Sequence, residues 1–111
     1  MATQYNQELY RLKARLCKTF SNPKRLIIIE ELRDGEKAVG DLARVLLIPQ
    51  AVVSRHLAVL RDRGVVRTRR KGTNVYYSLA DPKICEACDL VQAILLSQIE
   101  ENKALAKRLV A

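Results

Sequence analysis

A chain of 111 residues that is 49% hydrophobic and carries a formal net charge of +8 is long enough for one modest core and too apolar for a disordered tail. The opening MATQYNQELY lacks the apolar stretch of a secretory leader and the run Leu26–Ile29 is far too short to span a bilayer, so a soluble, cytoplasmic protein is expected. Three cysteines, an odd number without such a leader, point to thiols and away from a disulfide scaffold.

Leu9, Leu12, Leu16 and Phe20 recur at helical spacing and predict a first helix from about Gln4 to Phe20. Asn22 then serves as an N-cap with Pro23 at the first helical position. A second helix follows over Lys24–Arg33, with Leu26, Ile29 and Leu32 on one side and Gly35 as its stop. In KAVGDLARVL, residues Val39, Leu42, Val45 and Leu46 suit a short third helix. Leu47, Ile48 and Pro49 make the turn, because a residue before proline avoids the helical region. The fourth helix, Gln50–Arg63, turns Val53, Leu57 and Leu60 inward and ends at Gly64. Gln50, Ala51, Ser54 and Arg55 then lie on or near its outward face. Val65–Arg70 and Asn74–Leu79 alternate apolar and polar residues around a turn containing Gly72, the pattern of a hairpin.

A final helix starts at Asp81 as cap and Pro82. Its apolar stripe runs through Ile84, Cys88, Val91, Leu95 and Ile99, and Leu105 and Leu109 extend it. So much apolar surface on one long helix exceeds what a small core covers, and a second copy of the chain is the expected cover. No linker, repeat or low-complexity run divides residues 1–111, which are expected to form a single domain with terminal dimerisation helices.

Charge is concentrated where helix four meets the hairpin. Arg55, Arg61, Arg63, Arg67, Arg69, Arg70 and Lys71 are opposed by Asp62 alone, so Gln50–Asn74 carries +6 of the +8. A short amphipathic helix followed by a basic two-stranded ribbon suits a polyanion. The helix fits a major groove, and the ribbon lies along the adjacent backbone or minor groove. A solvated basic ribbon on any small fold is the plainer alternative.

NPKRLIIIEEL, VGDLARVL, VVSRHLAVLRDRGVVRTRRKGTNVYYSL and Asp81, in this order, resemble the ArsR/SmtB family of transcriptional repressors over roughly residues 9–95. The resemblance implies a mainly α fold with a small β-hairpin, a winged helix-turn-helix of order α-α-α-α-β-β-α. It implies a homodimer through the first and last helices, seated on a double-stranded DNA operator of twofold symmetry until an inducer weakens binding. It also brings Gln50, Ala51, Ser54 and Arg55 to base edges and phosphates. The chemistry agrees, since Gln pairs bidentately with adenine and Arg with guanine. Arg69, Arg70, Lys71 and Thr73 become wing contacts, which position more than they specify. His56 is expected to make a structural or phosphate-side contact. One departure is Pro49, which stands where the family usually opens the recognition helix with a small hydroxyl residue.

Two effector sites known from the resemblance are missing. Ala38, Val39 and Gly40 replace a Cys-Val-Cys motif at the third helix. Lys83, Ile94 and Ser97 occupy places where His and Glu would complete a zinc site beside Asp81. What remains is thiol: Cys85 and Cys88 in CEAC, and Cys17 near the end of the first helix, within reach of the pair in one subunit or across a dimer. Three thiolates suit arsenite or a soft metal ion as inducer, and a dithiol equally suits a redox- or persulfide-responsive switch. Inert buried cysteines are the third possibility. No cofactor is expected for DNA binding itself. Two rivals stand beside the repressor: a winged-helix protein-interaction module, and an enzyme. The enzyme lacks a nucleophile–base pair, a phosphate loop, and the βαβ context a CxxC oxidoreductase needs.

Overall fold

The computed structural model describes residues 4–110. The elements in order are α1 (Gln7–Thr19), α2 (Pro23–Glu31), β1 (Lys37–Ala38), α3 (Val39–Leu46), α4 (Gln50–Asp62), β2 (Val66–Lys71), β3 (Asn74–Leu79) and α5 (Lys83–Val110). They fall into two compact units, Met1–Asp81 and Pro82–Ala111. The helical order and the hairpin follow the expectation. The added feature is β1, which pairs antiparallel with β3 through Lys37↔Tyr77 and Ala38↔Tyr76, giving a sheet of order β1-β3-β2. Two residues are too short for an alternation to show in sequence, and β1 exists only because β3 offers it an edge.

The core of the first unit is a three-helix wedge closed by the root of the hairpin. Ile28, Ile29 and Leu32 from the α2 segment meet Leu42 and Ala43 of α3, Val53, Leu57 and Leu60 of α4, and Val65 and Val66. Leu26, expected on the inner side of α2, is 41% exposed, and Ile28 takes its place. Val45 of α3 is half exposed. The inward stripe of α3 is narrower than its apolar composition, since Leu42 and Ala43 alone are buried there.

Capping explains most boundary differences. The Asn6 side chain accepts the Leu9 N–H at 3.1 Å, so α1 starts at Gln7 and not at Gln4. Asn22 accepts from the Lys24 and Arg25 amides at 2.9 and 3.3 Å ahead of Pro23, as its residue type predicts. At the end of α4, Gly64 takes φ +74° and its N–H reaches the Arg61 carbonyl, while the Val65 N–H reaches the Leu60 carbonyl at 2.8 Å. That pair of bonds is a Schellman stop, and Leu60 and Val65, the two residues between which such a stop usually carries an apolar contact, are both buried. It also consumes the Val65 N–H, so β2 begins one residue later than its apolar pattern suggested. Val65 still joins the hairpin root through its carbonyl, which accepts from Ala80 at 2.9 Å.

The second unit is α5, one helix of 28 residues starting at Lys83, two residues after Asp81. Leu90, Val91, Ile94, Leu95 and Leu96 are each more than half exposed along it. In the first unit, α1 likewise leaves Leu9, Leu12 and Leu16 exposed.

Candidate nucleic-acid interface

α3 and α4 meet at a bend of 113° across the three residues Leu47, Ile48 and Pro49, the geometry of a helix-turn-helix. The turn is made without glycine. Leu47 adopts the left-handed conformation at φ 56° while 88% exposed, and the Ile48 N–H bonds back to the Ala43 carbonyl at 3.3 Å. Pro49 occupies the N-cap of α4 in an extended conformation and supplies no side-chain cap. The first turn of α4 is closed by backbone alone: the Val52 and Val53 N–H groups donate to the Pro49 carbonyl at 3.0 and 3.2 Å, and no side chain caps it from the residue in front.

With Val53, Leu57 and Leu60 fully buried, the opposite side of α4 is fixed. Gln50, Ala51, Ser54 and Arg55 are all exposed and, at positions i, i+1, i+4 and i+5, share one face. The Gln50 amide lies close to the start of α3: a Cβ on Gly40 would sit 3.4 Å from Gln50 Nε2. His56 is placed differently from its neighbours. It is half-buried, and its Nδ1 accepts a hydrogen bond from Arg25 Nε at 3.3 Å, while Arg25 Nη1 donates to the Thr19 carbonyl. Burial, and then the nearby charges of Arg25, Lys24 and Arg55, hold its pKa below the ordinary imidazole value. Arg25, Val52, Arg55, His56 and Val59 together line a shallow groove beside α4. Arg25 is a residue that sequence reasoning missed. It sits on the opening turn of α2, and nothing in the local pattern ties it to a histidine 31 positions away.

The wing pairs β2 and β3 in the register Val66↔Leu79 to Lys71↔Asn74, leaving Gly72 and Thr73 as a two-residue loop. Gly72 has φ +61° at the first loop position, which is where a type II′ hairpin needs glycine. Arg70, Lys71 and Thr73 are exposed at the tip. Arg69 is not presented in the same way. Its Nε donates to Glu36 Oε2 at 3.0 Å, its Nη2 pairs with Glu36 Oε1, and its guanidinium lies 5.3 Å from the centre of the Tyr76 ring. The bonds from Arg69 hold the Glu36 carboxyl below its ordinary value. Glu36 and Tyr76 were not among the expected functional residues. Tyr76 lies directly across from Arg69 in the hairpin register, a pairing readable once the turn is placed, whereas Glu36 is 33 positions away.

Cys17 is exposed, Cys85 is buried and Cys88 is half-buried, all as thiols. Among the described residues no three His, Cys, Asp or Glu side chains gather as a metal site. No single helix among them is long and apolar enough to cross a membrane.

Residues 22–68, which run from the cap of α2 into β2, match the model of the arsR family of bacterial regulatory proteins. The chain is 39% identical over 87 residues to the biofilm growth-associated repressor of Agrobacterium fabrum, covering 78% of this chain and 74% of that one. Its fold superposes on the crystal structure of Rv0081 of Mycobacterium tuberculosis with a TM-score of 0.79 at 34% identity, over 87% of this chain and 98% of that one. It is similar as well to the homodimeric winged helix-turn-helix DNA-binding domain of Mb0332 from Mycobacterium bovis, with a TM-score of 0.74 at 33% identity, over 86% and 90% of the two chains. A helix-turn-helix with an outward polar face, a basic wing beside it, and these likenesses agree: the chain belongs to the arsR family of bacterial regulatory proteins and is a winged helix-turn-helix transcriptional repressor, not an enzyme.

Proposed function

We propose that two copies of this chain, joined through α1 and α5, seat their α4 helices in successive major grooves of an operator with twofold symmetry, and that thiol chemistry releases them. The observation that carries the DNA reading is the shared outward face of Gln50, Ala51, Ser54 and Arg55 beside the exposed wing tip Arg70, Lys71 and Thr73. Gln50 and Arg55 read base edges, Ser54 is a short donor and acceptor, and Ala51 allows close approach. The wing residues hold phosphates. His56 supports this face from behind through Arg25. The uncovered apolar side chains of α1 and α5 support the dimer, as does the homodimeric state of the Mycobacterium bovis relative. The site of action is the bacterial cytoplasm, where operator DNA lies.

The release step rests on Cys85 and Cys88, three apart near the start of α5, with Cys17 on α1. In the primary reading, arsenite or a soft metal ion binds Cys85, Cys88 and a third thiol, Cys17 of either copy, because soft thiolates select soft centres. A second reading needs the pair alone: oxidation or persulfide transfer links two thiols without a third donor, and the spacing of Cys85 and Cys88 suffices for it. Either event changes the packing of α5 and with it the spacing of the two α4 helices. The deciding experiment measures binding of the reduced protein to duplexes selected from a random pool. Arsenite, cadmium, a disulfide-forming oxidant and a persulfide donor are then added separately. Release by arsenite or cadmium supports the three-thiol site, and release by oxidant or persulfide donor supports the pair. Retention under all four removes the thiol switch.

A further inference from the structure

Arg69 sits on β2, the outer strand of the β1-β3-β2 sheet, and Glu36 lies immediately before β1 on the far side. Neighbouring strands lie about 4.8 Å apart, so the two residues are separated by the width of the sheet, roughly 10 Å. The Arg69 side chain spans that width. It passes the ring of Tyr76, which is opposite Arg69 on one side and opposite Ala38 of β1 on the other. It ends in a two-bonded pair with the Glu36 carboxylate. Resting on the DNA-binding reading above, we propose that Arg69 is a positioning residue and not a phosphate contact: with Tyr76 and Glu36 it forms a strap that fixes the wing to β1, so that Arg70, Lys71 and Thr73 meet DNA at a set inclination.

Three features support the strap. A planar guanidinium matches a carboxylate through two parallel bonds and stacks on an aromatic face, and Arg69 does both at once. Its charge is already answered by Glu36, which makes it a poor competitor for phosphate next to the unstrapped tip residues. The hairpin is otherwise anchored weakly at its outer end: β1 contributes only two residues of pairing, and the burial of β2 stops at Val66. Without the strap, the outer half of β2 is held by β3 alone, and a free two-stranded ribbon is marginal in water.

The strap and a direct phosphate contact predict opposite signs for one substitution. Glu36→Gln removes an acidic group near DNA. If Arg69 contacts phosphate, freeing it strengthens binding. If Arg69 is the strap, the wing loosens and binding weakens by about threefold to tenfold, the range expected for losing an exposed two-bonded ion pair with its ring contact. Arg69→Ala should weaken binding similarly, and the exchanged pair Glu36→Arg with Arg69→Glu should recover affinity relative to Arg69→Glu alone. The assay is fluorescence anisotropy with a mixed-sequence duplex at fixed salt. Amide hydrogen exchange of the DNA-free protein gives an independent readout, with faster exchange expected at β2 and β3 in Glu36→Gln and protection in α2–α4 unchanged. Tighter binding by Glu36→Gln, or unchanged exchange in its hairpin, overturns the strap. A wild-type protein that binds no duplex sinks the DNA reading instead, and the exchange result then decides the strap on its own.

Discussion

Replacing Leu95 by Asp tests the proposed assembly on the exposed apolar stripe of α5. Leu95 is 52% exposed in a single chain, and Leu96, Ile94 and Val91 around it are 53%, 59% and 66% exposed. Complete burial of a leucine contributes about 1.5–3 kcal/mol, so covering the exposed half of Leu95 contributes about 1 kcal/mol. An isologous interface uses each residue twice, which makes this about 2 kcal/mol per dimer. Asp at that position forfeits this and sets two carboxylates against apolar surface, at a further cost of at least about 1 kcal/mol each. The total of roughly 4 kcal/mol weakens the dimer about a thousandfold. Sedimentation equilibrium over a range of protein concentrations measures the shift directly. Leu95→Ala, which loses only the burial, should show about a thirtyfold effect. Because Leu95 is already half exposed in one chain, both variants should keep their helical circular dichroism. A wild-type monomer at micromolar concentration, or an unchanged dissociation constant for Leu95→Asp, refutes the reasoning and takes the twofold operator with it.

Other outcomes follow from single side chains. Arg55→Ala should cost about 1–3 kcal/mol of specific affinity and relax preference at one base position, as read by competition with operator point variants. Lys71→Ala should instead weaken every sequence alike and lower the slope of log K against log salt by about one unit. His56 should produce a pH-dependent loss of stability: its folded pKa lies below the ordinary 6.5, so the folded state resists protonation. The contribution is therefore complete above the unfolded value and is lost as pH falls through it toward the folded pKa. Melting temperatures from pH 8 to 5 should accordingly decline less in His56→Gln, and an identical profile for the two proteins contradicts the Arg25–His56 arrangement. Cys85→Ser and Cys88→Ser should bind DNA as reduced wild type does yet fail to release it. A double variant that still responds to every thiol reagent moves the sensor elsewhere.

The parts of the fold legible in sequence are those set by local chemistry. Asn22-Pro23 starts α2, Gly64 stops α4, and Gly72 turns the hairpin, because each satisfies backbone groups or dihedral needs within a few residues. The outward face of α4 was equally readable, since burying Val53, Leu57 and Leu60 leaves one direction for Gln50, Ser54 and Arg55. What could not be read depends on distant partners. β1 needs β3, Arg69 needs Glu36, and His56 needs Arg25. In each case the deciding atom is more than 30 residues away, and neither periodicity nor charge count carries that distance. The same limit explains Leu26. A run of four apolar residues marks a core helix, but which of them turn inward is decided by where α3 and α4 lie.

The stiffness of the reading unit constrains how an effector can act. α4 passes into the wing through the Schellman stop with no flexible linker: the Val65 N–H is held by Leu60, its carbonyl by Ala80, and its side chain lies in the core. Moving α4 relative to the hairpin would break that stop and disturb the packing of Leu57, Leu60, Val65 and Val66 together, and close-packed cores resist such deformation. A switch built on Cys85 and Cys88 therefore gains little by distorting the reader. It gains more by changing how two intact readers are spaced, since half-sites about one helical turn apart accept only a narrow range of separations. Cys85 and Cys88 lie on α5, the helix whose apolar side chains Leu90, Val91, Ile94, Leu95 and Leu96 are each more than half exposed. Repositioning rigid bodies about an interface also converts a small local change into a large loss of affinity, because both half-sites are mismatched at once.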